Sequence, residues 1–337
     1  MTSDPILEVR QLGKYFPVRQ NFLEIFRRQK PEVVRAVDGV SFCIEKGEVL
    51  ALVGESGCGK TTIAQSLIGL TEATKGEIFF KGQTIGVDRQ DGKSISLKKL
   101  RQKVQVVFQD PYESLNPRAS IFDIVAEPLV VHGMAKEGQD LNNRVISSLE
   151  EAGLRPAEDF LLRYPHELSG GQRQRVVIAS AMILEPELLI ADEPVSMLDV
   201  SIRAEVLNLL NALRKSRGIS ILFITHDLGT VAHFADRLAV MYLGRIVEIG
   251  LTDEVLKDPQ HPYTKALLSV VPVPNPRFRR KMVILTGETP NPINLPNGCR
   301  FHPRCPQVME SCKVIDPPSI QLNITHEATC LLLNQEI

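Results

Sequence analysis

The sequence contains no tryptophan, only 5% aromatic residues and no apolar run of the length that a membrane span requires. The best apolar candidate, residues 176–191, is interrupted by Glu185, Pro186 and Glu187. We therefore do not expect the chain to cross a bilayer by itself. Residues 1–5 show neither the basic start nor the apolar stretch of a secretory signal, so the chain is expected in the cytoplasm.

An excess of charge of one sign is also missing. The chain has 39 Lys and Arg residues against 40 Asp and Glu residues, which gives a net charge of -1 at pH 7. This balance argues against a protein whose main affinity comes from covering nucleic-acid phosphates, although it allows a local phosphate site. The 337 residues, 43% of them hydrophobic and 23% charged, predict a water-soluble globular protein with room for two domains.

The six cysteines are distributed unevenly, and two of them, Cys43 and Cys58, are isolated. The other four crowd into the end of the chain, at Cys299, Cys305, Cys312 and Cys330. In a reducing cytosol, clustered thiols hold a metal more often than they form disulfides. Four thiolates suit a [4Fe-4S] cluster or a tetrahedral zinc ion, and spacing alone does not choose between these and unliganded thiols. From about residue 259 the sequence is rich in proline, which predicts an extension without long regular elements. A bound metal would stabilise such an extension.

Short apolar runs alternate with helical patterns between residues 6 and 250, which indicates an α/β protein with a largely buried sheet. The strand candidates are rich in Val, Ile, Leu or Phe and end at polar or glycine positions: residues 49–53, 104–108, 188–191 and 219–224. Apolar residues recur at helical spacing over residues 202–213, and Gly218 is expected to end that helix. Residues 110–165 predict a mainly helical insertion. Residues 17–35 predict a polar loop.

Residues 54–61 match the P-loop pattern, and they follow a predicted strand and open a predicted helix over residues 61–70. Backbone N–H groups in such a loop point at phosphate oxygens from a helix N-terminus. Lys60 adds a positive charge near the β and γ phosphates, and the Thr61 hydroxyl can bind Mg²⁺. The candidates for binding phosphates are Gly54, Glu55, Ser56, Gly57, Cys58, Gly59, Lys60, Thr61 and Thr62. The alternative is a glycine-rich turn before an ordinary helix.

Two more strand ends carry polar residues suited to phosphate chemistry. Asp192 and Glu193 follow the strand at residues 188–191. Asp192 can bind the water molecules that surround Mg²⁺, and Glu193 can orient and deprotonate the attacking water. His226 follows the strand at residues 219–224 and can touch the γ-phosphate and the water. Each has a structural alternative, since an Asp-Glu pair often starts a helix and a histidine here often caps one.

The sequence Leu-Ser-Gly-Gly-Gln at residues 168–172 resembles the signature of ABC-type ATPases, and it stands in that family's order, between the P-loop and the acidic strand. Ser169 and Gln172 have capping-box spacing and open a predicted helix over residues 173–184. That N-terminus, with Gly170 and Gly171 allowing close approach, can face a γ-phosphate. The alternative is a capped helix without a ligand.

This resemblance implies roles for further residues and a fold. Gln109 resembles the glutamine that senses Mg²⁺ and water, and Phe16 the aromatic residue that stacks on adenine, with Tyr15 as the alternative. Residues 196–199 resemble the D-loop, with Met197 where alanine is usual. The implied fold is an α/β P-loop NTPase core with an antiparallel β subdomain and a helical insertion at about 110–172, all within residues 1–259. The Pro- and Cys-rich extension then occupies residues 260–337.

The resemblance also implies partners, because family members sandwich two ATP molecules between two ATPase subunits. This chain has one copy of each motif and is therefore expected to pair with a second ABC ATPase subunit, as a homodimer or a heterodimer. Residues 109–118 and 261–267 resemble the ATPases of oligopeptide and dipeptide importers, and the loop before Ala36 suggests the subunit type called F. The resemblance favours a [4Fe-4S] cluster at the four tail cysteines, because some members of that branch carry one in the same tail.

The implied function is ATP hydrolysis that energises peptide import at the cytoplasmic face of the inner membrane, with peripheral attachment. Two transmembrane permease subunits would be direct partners and an extracytoplasmic peptide-binding protein an indirect one, and no nucleic acid is expected. Dipeptide, oligopeptide, nickel and murein-peptide importers share these features. A soluble ABC ATPase acting on nucleic acid or ribosomes is the alternative. The single motif set, the balanced charge and the lack of a basic insertion argue against it.

Overall fold

The computed structural model describes residues 4–18, 32–85, 94–135, 138–271, 283–285 and 287–334. Most of the loop predicted at residues 17–35 falls outside the described residues. Within them, every helix is too short or too polar to span a bilayer.

Strands and helices alternate along most of the described chain. In chain order, the strands are β1 (Leu7–Pro17), β2 (Val33–Ile44), β3 (Val49–Val53), β4 (Lys75–Phe80), β5 (Gln83–Ile85), β6 (Ser94–Ile95), β7 (Val104–Val107), β8 (Leu188–Asp192), β9 (Ser220–Thr225), β10 (Arg237–Tyr242), β11 (Arg245–Leu251), β12 (Ile320–Gln321) and β13 (Glu327–Ala328). The α-helices are α1 (Lys60–Leu67), α2 (Leu97–Lys103), α3 (Pro111–Ser114), α4 (Ile121–His132), α5 (Gln139–Glu151), α6 (Glu158–Leu161), α7 (Gly170–Met182), α8 (Val200–Arg217), α9 (Leu228–Phe234), α10 (Thr252–Lys257) and α11 (Pro262–Ser269). Short 3-10 helices cover Pro165–Glu167, His302–Arg304, Glu310–Lys313 and Leu331–Leu333.

The chain divides into two compact units. The first comprises Met1–Leu7, Ile44–Val49 and Phe79–Ile224, and the second comprises Glu8–Cys43, Leu50–Ile78 and Thr225–Ile337.

In the first unit, β7, β8 and β9 are three neighbouring parallel strands. β7 pairs with β8 from Val104↔Leu188 onward, and β8 pairs with β9 up to Asp192↔Ile224. All residues of β8 and β9 are buried, which explains why both read as continuous apolar runs. The strands predicted at residues 104–108, 188–191 and 219–224 are confirmed to within one residue at each end. Their carboxyl ends meet at one edge, and residues that follow them lie there.

The segment between β7 and α7 is helical, as its sequence pattern predicted. It contains α3, α4, α5 and α6, and α4 opens with a capping box between Ser120 and Asp123. Farther along, α8 is capped by the Asp199 carboxylate, which accepts from the N–H of Ile202 at 3.0 Å. It ends at Gly218 with a φ of 66°, which confirms the predicted terminator.

In the second unit, β3 lies parallel to β10, and β10 pairs antiparallel with β11. Beyond β11 the sheet continues into the proline-rich extension, because β13 pairs antiparallel with β11 and β12 with β13. The region predicted from about residue 259 to lack long regular elements contains the eight-residue helix α11, and its described part after α11 has only two-residue strands and 3-10 helices. Its Phe301 is buried in the core of the unit together with Tyr242 and Tyr263.

Candidate functional site

The predicted P-loop lies between β3 and α1 and has the backbone that its glycines allow. Gly57 has a φ of +77° and no atom within 4 Å of the position of a Cβ, so its conformation alone requires glycine. Gly59 has a φ of +110°, and a Cβ there would lie 2.1 Å from the carbonyl oxygen of Ala36. A side chain at Gly59 would therefore push the loop away from β2.

Lys60 is 5% exposed, and its side chain folds back onto the backbone of the P-loop. Its Nζ donates to the carbonyl oxygens of Gly54 at 2.8 Å and Glu55 at 3.0 Å. Ser56 and Thr61 are exposed, whereas Cys58 is buried, where burial raises the pKa of its thiol. Cys58 thus behaves as a small apolar residue within the loop.

Glu55 receives contacts that sequence reasoning did not foresee. Its carboxylate accepts from Arg304 at 2.9 and 3.2 Å and from the hydroxyl of Thr289 at 2.7 Å. Its backbone N–H donates to the hydroxyl of Tyr263 at 3.0 Å. The P-loop is therefore bound to residues of the C-terminal extension through both the side chain and the backbone of Glu55.

In the first unit, the acidic strand end and Gln109 come together. Gln109 Nε2 donates to Glu193 Oε2 at 3.3 Å, and the N–H of Glu193 donates to the carbonyl oxygen of Ile224 at 2.9 Å. Glu193 has a φ of +48°, a left-handed conformation that strains a residue with a side chain. Asp192 directly before it is 3% exposed. The end of β8 thus carries the buried carboxylate of Asp192, followed by the carboxylate of Glu193, which Gln109 orients.

His226 directly follows β9 and is exposed. The next helix, α9, is capped by Asp227, whose carboxylate accepts from the N–H of Gly229 at 2.9 Å. Because Asp227 provides the cap, the helix-cap alternative for His226 does not apply.

The two aromatic candidates for stacking on adenine differ in their surroundings. The Tyr15 hydroxyl donates to the Asp38 carboxylate, and its ring is faced by the Lys75 ammonium at 5.2 Å. Phe16 is 38% exposed, and the Lys14 ammonium lies 5.0 Å from its ring centroid. Phe16 is thus the more exposed of the two side chains, while the Tyr15 hydroxyl is bound to Asp38.

The signature segment forms the predicted capping box. Ser169 Oγ accepts from the N–H of Gln172 at 3.3 Å, and Gln172 Oε1 accepts from the N–H of Ser169 at 3.0 Å. The helix starts at Gly170, three residues before the expected Arg173. At Gly171 a Cβ would lie 2.6 Å from Ile202 Cγ2, so this glycine lets α7 pack closely on α8. The sequence pattern predicts only that the small size of Gly171 lets a ligand approach, and the structure adds this contact between helices.

The four tail cysteines lie in one region of the second unit. The N–H of Cys299 donates to the carbonyl oxygen of Cys312 at 2.9 Å. Burial, reinforced by nearby cysteines, raises the pKa of Cys299 to about 11, and burial also raises the pKa values of Cys305 and Cys330. Among the residues that the structure describes, no three Cys, His, Asp or Glu side chains are grouped closely enough to hold one metal ion.

Comparisons with known proteins match these motifs. Residues 37–196 match the family described as ABC transporter, and residues 247–312 match the oligopeptide/dipeptide transporter C-terminal region. The dipeptide transport ATP-binding protein DppF of Haemophilus influenzae is 48% identical over 94% of this chain and 93% of its own length. The oligopeptide transport ATP-binding protein AppF of Bacillus subtilis is 47% identical over 98% of both chains. The chain belongs to the ABC transporter ATP-binding family.

Solved structures agree with this membership. The ABC transporter component cbiO1 of Clostridium perfringens has a TM-score of 0.62 and 31% identity, covering 76% of this chain and 92% of its own. The ATP-binding cassette MJ0796, solved as a dimer bound to ADP and Pi after hydrolysis, has a TM-score of 0.61 and 27% identity, covering 73% of this chain and 98% of its own. The predicted α/β P-loop fold is confirmed, and as an ABC ATPase the chain hydrolyses ATP.

Proposed function

We propose that this ABC ATPase is an F-type subunit that energises the import of peptides. Relatives that cover nearly the whole chain are named for dipeptide and oligopeptide transport, and the matched C-terminal region is that of the same transporters. The observation that carries the chemistry is Glu193, held in a left-handed conformation beside Gln109 at the carboxyl edge of the parallel strands. The dipeptide, oligopeptide, nickel or murein-peptide specificity would reside in other subunits.

In the proposed mechanism, Glu193 orients and deprotonates the attacking water, and Gln109 fixes the direction of its carboxylate. Lys60 and the N–H groups of the P-loop hold the phosphates, with Thr62 on another phosphate oxygen. His226 contacts the γ-phosphate and the water. The P-loop fits the phosphates of Mg-ATP because it is open at Gly57 and the helix that follows it presents N–H groups to an anion.

Mg²⁺ would supply neutralisation of the charge on the β and γ phosphates. Thr61 and Gln109 would be its ligands, with Asp192 holding its water shell. The exposed Thr61 hydroxyl and the oxygen-rich set of side chains suit this hard cation. Phe16 would stack on adenine, since it is the more exposed of the two side chains and the Tyr15 hydroxyl is bound to Asp38.

Two ATPase subunits would form the working unit. The chain has one copy of each motif, and the solved MJ0796 cassette is a dimer. Ser169, Gly170, Gly171 and Gln172 would then approach the γ-phosphate bound by the partner ATPase subunit. Two permease subunits would hold the pair peripherally at the cytoplasmic face of the inner membrane, with a peptide-binding protein acting indirectly. We assign residues 1–259 to the nucleotide-binding domain, with a helical subdomain at about 110–172, and residues 260–337 to the extension.

The four tail cysteines would hold a [4Fe-4S] cluster, with zinc as the alternative. The four thiols lie near one another, but no three described ligand side chains converge on the point that a single tetrahedral ion requires. In a [4Fe-4S] cluster each thiolate binds a different iron, so the sulfur atoms need not converge on one centre. Anaerobic purification followed by iron, acid-labile sulfide and zinc assays tests this assignment. Iron and sulfide at four per chain support the cluster, and zinc alone at one per chain refutes it.

Cell fractionation tests the proposed transport role. The chain, expressed with and without its permeases, is expected to sediment with membranes only when they are present. Co-sedimentation with ribosomes or nucleic acid, independent of the permeases, would favour a soluble ABC ATPase instead. A Lys60→Ala variant should still sediment with the permeases while losing ATP affinity, which separates docking from nucleotide binding.

A further inference from the structure

The segment between the first two tail cysteines, Cys299 and Cys305, is anchored to the rest of the second unit by three side chains. Arg300 forms a buried ion pair with Asp38 and donates to the carbonyl oxygen of Leu243 at 2.5 Å. Phe301 is 1% exposed and packs edge-on against Tyr242 with ring centroids 5.2 Å apart. Arg304 binds Glu55. We call residues 299–305 the inter-cysteine segment.

The contact with Glu55 differs from the other two because Glu55 lies within the P-loop. The side chain of Arg304 is only 10% exposed and that of Glu55 is 27% exposed, so this ion pair is shielded more than a surface pair. The same guanidinium nitrogen also donates to the Thr289 hydroxyl at 3.2 Å, and that hydroxyl donates to Glu55. Glu55 is thus fixed by two residues of the extension through its carboxylate and by a third, Tyr263, through its backbone.

This arrangement has an electrostatic consequence for a loop that receives a triphosphate. A free carboxylate at Glu55 would repel the phosphates, whereas a carboxylate paired with Arg304 presents little net charge. The arrangement also has a geometric consequence for the backbone of Glu55. Its N–H donates to Tyr263 while its carbonyl oxygen accepts from Lys60 at 3.0 Å, so both ends of the residue are fixed.

We propose that Arg304 is a positioning residue for ATP binding, through which the inter-cysteine segment holds the P-loop in shape and neutralises Glu55. The proposal rests on the proposed contact of the P-loop with the ATP phosphates. Cys305 follows Arg304 directly, so whatever holds the backbone at this cysteine also restrains the backbone from which the Arg304 side chain extends. By thermodynamic linkage, bound ATP must in turn stabilise the inter-cysteine segment by the same factor.

The test measures Mg-ATP dissociation constants for the full chain in a Glu193→Gln background, and KM and kcat for the corresponding variants that retain Glu193. Arg304→Gln is expected to weaken ATP binding and raise KM about tenfold, or ~1.4 kcal/mol, with kcat within about twofold of the wild type. Thr289→Val is expected to weaken binding in the same direction by a smaller factor. Because Thr289 is exposed, this second variant should fold even if Arg304→Gln does not.

The matched control is Lys313→Gln, which removes a cation from the same extension. Lys313 pairs with exposed Glu310, at 2.7 Å, and takes no part in the contacts that fix Glu55. It should leave the ATP dissociation constant unchanged. In a double-mutant cycle, Arg304→Gln should have less than about a twofold effect once Glu55→Gln is present, since the two side chains act as a pair.

Hydrogen exchange provides a readout that a merely structural role would not change. The N–H groups of His302, Arg304 and Cys305 donate to carbonyl oxygens within the segment, at 3.0 to 3.3 Å. Mg-ATP should slow exchange of these N–H groups in the wild type and not in Arg304→Gln. If Arg304→Gln and Thr289→Val bind ATP as the control does, while Lys60→Ala loses binding, the proposal is refuted and the P-loop assignment stands. If Lys60→Ala also binds normally, the P-loop assignment itself fails.

Discussion

At the scale of single residues, Asp38 shows how the extension is held. Burial alone would raise its pKa, but hydrogen bonds from Lys75, Tyr15 and Arg300 outweigh burial and lower the pKa well below the usual range. Arg300 and Asp38 have side chains that are 8% and 6% exposed, so each is buried with its opposite charge. Removing one partner of such a pair leaves the other buried without compensation.

Asp38→Asn is therefore expected to lower the free energy of unfolding by about 3 kcal/mol, measured by denaturant unfolding at pH 7. Because the native pKa is depressed, the stabilisation is complete above the pKa of an unfolded aspartate, about 3.9, and is lost only as the pH falls through the lower native value. The deficit should thus be the same at pH 7 and pH 5.5. Lys257→Gln, in an exposed pair with Asp253, should change stability by no more than about 0.5 kcal/mol. An equal effect of the two substitutions would contradict the assignment of a buried pair.

At the scale of elements, the pattern of apolar residues was enough to place the central strands. Continuous apolar runs predicted β3, β7, β8 and β9, because strands buried on both faces admit few polar residues. The capping box of Ser169 and Gln172 and the terminating Gly218 were also visible, since they depend on residues a few positions apart. β12 and β13 were not predicted because two-residue strands carry no periodicity. The pairing of Glu55 with Arg304 spans 249 positions, and no local pattern records it.

The two signature glycines allow a test of helix packing with a built-in control. Gly171→Ala would place a Cβ 2.6 Å from Ile202 Cγ2 on α8, whereas Gly170→Ala would meet nothing closer than Leu198 Cδ2 at 3.8 Å. Gly171→Ala is therefore expected to destabilise the protein by about 1–3 kcal/mol through overpacking, and Gly170→Ala should be neutral. Thermal unfolding of both variants measures the difference. Equal melting temperatures would mean that α7 and α8 are not packed as closely as the structure has them.

At the scale of the whole molecule, motif order carried more information than any single motif. The P-loop, Gln109, the signature, the acidic strand end and His226 follow one another as in ABC ATPases, and the comparisons then established the family. Within the first unit, the structure adds the contact between Gln109 and Glu193, which are 84 positions apart. Sequence could name both residues but could not give the left-handed backbone that orients Glu193, since that strain is imposed by the surrounding fold.

We propose that Glu193 is the general base of an ATP-hydrolysing site that works in pairs of subunits. It is tested most directly by comparing ATP turnover of Glu193→Gln with that of the wild type, with the Mg-ATP dissociation constant measured on the same proteins. Glu193→Gln keeps the shape of the side chain but cannot accept the proton of water, so turnover should fall by about 10²-fold or more while binding stays within about twofold. The ATP-bound variant should also accumulate as a dimer. Turnover by Glu193→Gln at the wild-type rate would show that Glu193 is not the general base.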